Sequence, residues 1–488
     1  MSERPIIVWL RRDLRLADHA ALDASAASGA PVVPVYVLDD ETPGEWRLGG
    51  ASRWWLAGSL RAFDAALRRR GSRLILRRGE TGAILLGLAR EIGAAAVYFQ
   101  RGYEPYMPPL EARLHTALTG GGVACRRFGG HLFVEPERMR NKSGEPFKVF
   151  TPFYKACQTL EPPSPSPPLV APTRLQSPEQ WPSSEILDSW RLEPSRPDWA
   201  AEMRRAWVPG EAGAATRLQG FIDDAIADYG TNRNRPDLDG TSRLSPHLAF
   251  GEVSPRQIWH SVSHAAEADT AKQRGAAAYI RELYWREFSS HLLFHRPDLP
   301  EKPFRPEFAA LPWKPAPAAL TAWQTGRTGY PIVDAGLRQL WAIGWMHNRV
   351  RMVAASFLTK HLLIPWQQGE AWFWDTLVDA DLANNAASWQ WVAGSGADAA
   401  PYFRVFNPIL QGLKFDPAGD YVRRWVPELA DLPAEHIHAP WDAPTDVLRR
   451  AGIVLGETYP RPIIAHDEGR RQALAAYAAV KASSRAGS

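Results

Sequence analysis

Glu282, Trp285 and Arg286 stand three and four residues apart, so on a helix a carboxylate and an indole share one face with a guanidinium beside them. In a buried pocket such a pair stacks on one planar heterocycle and accepts hydrogen bonds from another. On an exposed face the same spacing is only a Glu282 to Arg286 ion pair beside a core tryptophan, worth less than about 1 kcal/mol. Trp345, Asn348, Arg349 and Met352 again fall along one predicted helix face, where a core helix rarely carries Asn or Arg. Upstream, Thr241, Ser242, Arg243 and Ser245 precede a predicted helix. Hydroxyls, unpaired amides and the positive end of a helix favour an anion such as phosphate, although serine and threonine there are also ordinary caps. Downstream, Asp379, Asp381, Asn384 and Asn385 lead into Trp389 and Trp391, a polar loop entering an aromatic segment. It suits the polar edge of a heterocycle; in isolation it is also a capped turn.

These residues need two kinds of scaffold. With 488 residues, 45% hydrophobic and 23% charged, the chain can fill more than one core, so two domains are expected. In the first part, apolar runs at 6–10, 32–38, 73–76, 95–99 and 123–128 alternate with amphipathic stretches such as 52–70. Strand and helix in alternation predict a doubly wound parallel sheet of the Rossmann-like α/β kind. Arg11-Arg12-Asp13 follows the first strand where a dinucleotide-binding turn would carry glycines, so the fingerprint is missing. Residues 162–182 are dense in proline and serine and read as an extended linker. Beyond Pro209-Gly210 the periodicity is helical, with caps at Ser254-Pro255 ahead of 256–260 and at Asp334 ahead of 335–340. The expected organisation is an α/β domain over 1–130, a linker over 131–210, an all-helical domain over 211–470 and a short tail over 471–488.

The net charge of +4 is mild and carries no nucleic-acid argument by itself. Of the 21 tryptophans, most lie after residue 180, which sets the two halves apart. Cys125 and Cys157 have neither zinc nor disulfide-framework spacing, which suits a reducing compartment. No apolar stretch reaches membrane-spanning length. A cytoplasmic protein without a metal site is expected.

Taken together, the runs GTSRLSP at 240–246, ELYWREF at 282–288, TGYPIVDAGLRQL at 328–340, GWMHNRVRM at 344–352 and DAAPYFRVFNP at 398–408 resemble the photolyase and cryptochrome family. The likeness is greatest to its class I-type members that repair cyclobutane pyrimidine dimers. It extends more weakly to Val8 through Asp18 and does not cover 471–488. The resemblance implies FAD, with Tyr229, Thr241, Ser242, Leu244 and Ser245 around its phosphates. Arg286, Asn348, Arg351, Asp379, Asp381 and Asn385 would surround adenine, ribitol and isoalloxazine, with the neutral amide of Asn385 against flavin N5. In the family, excited reduced flavin gives one electron to the dimer, the ring splits and the electron returns.

The resemblance also implies DNA containing pyrimidine dimers as the partner of an expected monomer. Glu282, Trp285, Met352 and Trp391 would line the lesion pocket, where stacking offers roughly 1 to 3 kcal/mol per base. Arg233, Arg349 and Arg404 match positions that meet the DNA backbone. Trp389, Trp366 and Trp313 match an electron relay towards oxidised flavin, although core packing is the commoner role of any one tryptophan. Many relatives hold a folate antenna through an Asn-Glu pair; this chain has Tyr106 and Met107 there. A second chromophore, a folate held differently or a deazaflavin, therefore stays open. Asn348 and Met352 stand where relatives that repair (6-4) photoproducts carry histidines, which favours cyclobutane dimers. The alternative is a cryptochrome-type blue-light photoreceptor; plant-type receptors place Asp at the position of Asn385.

Overall fold

The computed structural model describes residues 4–160, 165–398 and 403–486. Parts of the 162–182 and 398–408 runs and the last two residues of the tail lie outside the described residues. By internal packing the chain forms two compact units. The first comprises Met1–Ala227, Ser242–Pro297 and Val378–Ala383; the second comprises Asp228–Thr241, Asp298–Leu377 and Asn384–Ser488.

The first unit is built on five parallel strands: β1 (Ile6–Leu10), β2 (Val32–Leu38), β3 (Ile75–Arg78), β4 (Ala96–Gln100) and β5 (Ala124–Phe128). Their order is β3-β2-β1-β4-β5, with Ile7 opposite both Val33 and Val97. β1 and β2 are buried along their whole length, as a strand covered on both faces requires, and this explains their unbroken apolar runs. Helices α1 (Ala20–Ala27), α2 (Gly50–Arg68), α3 (Thr81–Glu91) and α4 (Met107–Gly120) connect the strands. The order reverses between β1 and β4, which opens a crevice at the carboxyl ends of the strands. β3 starts two residues later than its apolar run because the ladder begins at the Val35 to Ile75 pair.

Residues 131–160 do not run free. Phe133 and Val134 donate backbone N–H groups to Glu287 (2.8 and 3.3 Å), Phe147 donates to His291 Nε2 (3.0 Å), and α5 (Phe150–Gln158) follows. All these contacts land on the 23-residue helix Gln273–His295.

The second unit is helical, as the periodicity predicts. Its principal helices include Pro331–Ile343, Asn348–Ser356 and Trp366–Thr376, and a π-helical turn spans Phe357–His361. The stretch after 470 belongs to a helix, His466–Ala486, with Ala473, Ala476 and Val480 buried. Among the described residues no helix is long and apolar enough to cross a membrane.

Two local expectations are corrected. Asp334 is not a cap but lies inside helix Pro331–Ile343, where its buried carboxylate accepts from Thr328, Gly329 and the Tyr459 hydroxyl. Trp345 does not share a helix face with Asn348, because Gly344 ends the preceding helix at φ 66° and His347 caps the next one. Ser254 does form the expected cap, a reciprocal box with Gln257.

Candidate active site

Helix Gln273–His295 carries four of the first unit's relevant side chains, spaced by its 3.6-residue repeat: Tyr279, Glu282, Trp285 and Arg286. Tyr279 OH lies 2.9 Å from Ser242 Oγ, and burial pushes the phenol up to about 12, so it stays a neutral hydrogen-bonding group. Ser242 Oγ in turn accepts the Leu244 N–H (3.3 Å), and Arg243 between them sits at φ 49°. The hydroxyl loop is thereby fixed ahead of the short helix Ser245–Ala249.

Trp285 is half-buried and lies face to face with Phe150, the ring centroids 3.7 Å apart and the planes within 7°. One face of the indole is therefore set by α5, an element that sequence periodicity did not single out. Arg286 donates to the His131 carbonyl (3.0 Å) and meets His131 Nε2 (2.7 Å), with Glu287 3.4 Å away. Burial, only partly offset by Arg286 and two backbone N–H groups, holds the Glu287 carboxyl up at about 7.

Asp379 is buried in the segment Val378–Ala383, which packs with the sheet. Arg12, just after β1, donates Nη1 to the Ala380 carbonyl (3.0 Å). Burial opposes the Arg12 charge, yet Glu104, Tyr106 and Asp381 hold its pKa above the ordinary value. Arg12, where a glycine fingerprint would stand, thus anchors the aspartate segment. A cavity of about 120 Å³, open to solvent, lies at the carboxyl ends of β1, β2 and β4. Trp9, Arg11, Arg12, Tyr36, Tyr106, Met107 and Asp381 are among its lining residues. Arg11 Nη1 bridges Met107 Sδ (2.8 Å) and Glu111 (3.0 Å).

In the second unit, Asn385 is buried and donates Nδ2 to the Glu370 carbonyl (3.0 Å), which orients the amide and leaves Oδ1 as its acceptor end. Arg351 donates Nε to Met346 O (2.7 Å), which holds it beside Asn348 at the start of helix Asn348–Ser356. Arg233 lies over the buried Tyr229 ring at 5.5 Å. Arg349 bonds Asn234 (2.6 Å) and covers Phe415 at 4.5 Å. Its pKa is lowered by burial first and then by Arg233 and Arg404, so the three arginines form one like-charged group.

Trp389 and Trp366 are each 2% exposed, while Trp313 is half-buried against the Phe308 and Phe403 cluster. Trp389 packs edge-on to Phe373 and Trp323, and among the described residues its buried indole N–H has no partner. A Cβ on Gly369 would stand 2.2 Å from the Trp389 ring, so only glycine admits this approach. Trp391 donates Nε1 to Asp398 O (3.1 Å) and shares a cavity with Arg404. Met352 is half-buried on the face of its helix.

A parallel α/β sheet unit and an all-helical unit, each carrying part of this set of aromatic, amide and arginine side chains, define the class of protein. Residues 6–169 match the DNA photolyase family model, and residues 279–479 match the FAD binding domain of DNA photolyase. The chain is 50% identical to a deoxyribodipyrimidine photo-lyase of Agrobacterium fabrum over 99% of each. It is 40% identical to Cryptochrome-1 of Arabidopsis thaliana over 98% of this chain and 71% of that one. The crystal structure of a bacterial class III photolyase from Agrobacterium tumefaciens superposes with a TM-score of 0.94 at 49% identity, covering 99% and 98% of the two chains. The chain belongs to the DNA photolyase family.

Proposed function

We propose that this chain is a deoxyribodipyrimidine photo-lyase that uses light to split cyclobutane pyrimidine dimers in DNA. The observation that carries the proposal is 50% identity along the whole length of a photo-lyase. The site residues fit FAD: the Asn385 amide, oriented by the Glu370 carbonyl, keeps its oxygen free of that bond and would serve the flavin as a neutral acceptor that adds no charge. When bound, reduced FAD supplies the excited electron and takes it back. The chain's own side chains bind, orient and exclude water. Tyr229, Thr241, Ser242, Leu244 and Ser245 serve the phosphates; Arg286, Asn348, Arg351, Asp379, Asp381 and Asn385 serve the rings and ribitol. Trp389, Trp366 and Trp313 are assigned to electron entry, and the fall in burial towards Trp313 supports that direction.

Glu282, Trp285, Met352 and Trp391 are assigned to the extruded dimer, and Arg233, Arg349 and Arg404 to the backbone. Extrusion, for which photolyases are themselves a standing example, costs a few kcal/mol, offset by stacking on Trp285 and Trp391. We further infer a class III enzyme where the sequence motifs suggested class I, because the 0.94 superposition is to a photolyase of that class. A second chromophore is assigned to the cavity at the sheet's carboxyl ends, where aromatic walls and Arg11 and Arg12 suit a flat, anionic ligand. A monomer in the cytoplasm completes the proposal.

The cryptochrome alternative draws on the 40% identity to Cryptochrome-1 of Arabidopsis thaliana; against it stands Asn385, where the family resemblance gives plant-type receptors Asp. In the dark, the FAD-loaded protein should hold a thymine-dimer oligonucleotide far more tightly than its undamaged twin and release it on illumination. Equal affinity for both would sink the proposal.

A further inference from the structure

The π-helical turn Phe357–His361 puts Lys360 inside the second unit, only 1% exposed. Single π turns inside helices occur often at functional sites. Lys360 Nζ lies 3.2 Å from the centroid of the Phe403 ring, and burial brings its pKa down to about 7. Among the described residues no carboxylate pairs with it. The small cavity that Lys360 lines, about 20 Å³ and open to solvent, is shared with Arg305, Trp391, Phe403, Arg404 and Tyr477. Three cations and no carboxylate line it. Of the acids next to the lining, Glu307 is paired with Arg305 at 2.8 Å and Asp398 accepts the Trp391 indole N–H at its backbone carbonyl (3.1 Å), while Lys481 sits over the Tyr477 ring at 4.8 Å. A buried ammonium without an acid is costly unless something anionic joins it. Arg404 stands exposed in the same lining, and Trp391 in the same wall is assigned to the lesion.

We infer that this cavity is a phosphate site, in which Lys360 receives a phosphodiester of the damaged strand behind Arg404. The inference rests on the photo-lyase proposal for the source of the phosphate, since free phosphate has the same chemistry. Lys360 is a binding group here, beyond the three arginines already assigned to the backbone.

The test measures binding of a thymine-dimer oligonucleotide to the full-length, FAD-loaded protein from pH 6 to 8.5, in the wild type, Lys360→Gln and Lys360→Arg. A phosphate raises the lysine pKa in the complex, so wild-type affinity is highest below pH 7 and falls by up to about tenfold per pH unit above it. Lys360→Gln should bind roughly tenfold more weakly at pH 6, with that fall gone and the salt slope smaller by about 1. Lys360→Arg, which stays protonated throughout, should bind tightly without the fall. FAD content checks the folding of each variant. A Lys360→Gln protein with the wild-type pH and salt dependence overturns the inference, as does an arginine variant that keeps the wild-type fall. Inorganic phosphate that competes with DNA in the wild type and not in Lys360→Gln adds the free anion as a ligand; phosphate without effect restricts the site to the diester. If the wild type shows no preference for dimers, the photo-lyase proposal fails by itself, and titration with inorganic phosphate still decides the role of Lys360.

Discussion

Glu282 is a half-buried carboxylate one helical turn from both Tyr279 and Trp285, and the proposed function has it accept hydrogen bonds from the edge of a pyrimidine at the lesion site. Glu282→Ala should weaken binding of a thymine-dimer oligonucleotide by roughly tenfold, about 1.4 kcal/mol, while flavin content stays at the wild-type level. Unchanged affinity would remove Glu282 from the lesion site. At this scale the sequence was informative about which residues matter and silent about what holds them. Asn385 stands out as a polar residue, but the expected polar loop is at that point already helix Leu382–Ala393, and the partner of Asn385, the Glu370 carbonyl, lies 15 positions away and shows in no periodicity. The same is true of Ser242 and Tyr279, 37 positions apart.

Two close contacts between elements position the proposed chemistry. Phe150 opens α5 and fills one face of Trp285. Phe150→Ala should cost roughly 3 to 5 kcal/mol of stability by chemical denaturation and reduce dimer binding more than FAD retention. Equal loss of both would make Phe150 a plain core residue. Gly369 lets helix Trp366–Thr376 lie against Trp389. Gly369→Ala should cost roughly 1 to 3 kcal/mol and slow light-driven flavin reduction, as followed by transient absorption; photoreduction at the wild-type rate would separate Trp389 from electron entry. The helical period of 282–288 and the apolar strands were legible because one-dimensional spacing maps directly onto a helix face or a sheet. α5 was not, since it follows a Gly- and Pro-containing stretch and its role depends on contacts across more than 130 residues. Asp334 was misplaced for a related reason: a carboxylate near a helix start looks like a cap, whereas its partner Tyr459 lies far along the chain.

For the whole molecule, long-range ties set the architecture. A linear cut near the proline-rich 162–182 separates sheet from helices, yet Glu287 and Arg12 bind Ser242–Pro297 and Val378–Ala383 into the sheet unit. Those ties carry a pH signature. Burial holds the Glu287 carboxyl up at about 7 against an ordinary 4.5, so its contribution is fully present below pH 4.5, is lost as pH rises to about 7, and is constant beyond. Glu287→Gln has no such loss; its melting temperature relative to wild type should climb from pH 4.5 to 7 and then level off, and a flat difference would contradict this. The arginine group Arg233, Arg349 and Arg404 should likewise appear as a salt effect, with Arg349→Ala lowering the slope of log affinity against log salt by about 1. An unchanged slope would take Arg349 off the backbone. The most direct test of the central claim is illumination of a thymine-dimer oligonucleotide with near-ultraviolet or blue light in the presence of the photoreduced, FAD-loaded protein. Intact thymines should return over many turnovers in the light and none in the dark. A bound flavin that absorbs the light while the dimers persist would contradict repair and favour a photoreceptor.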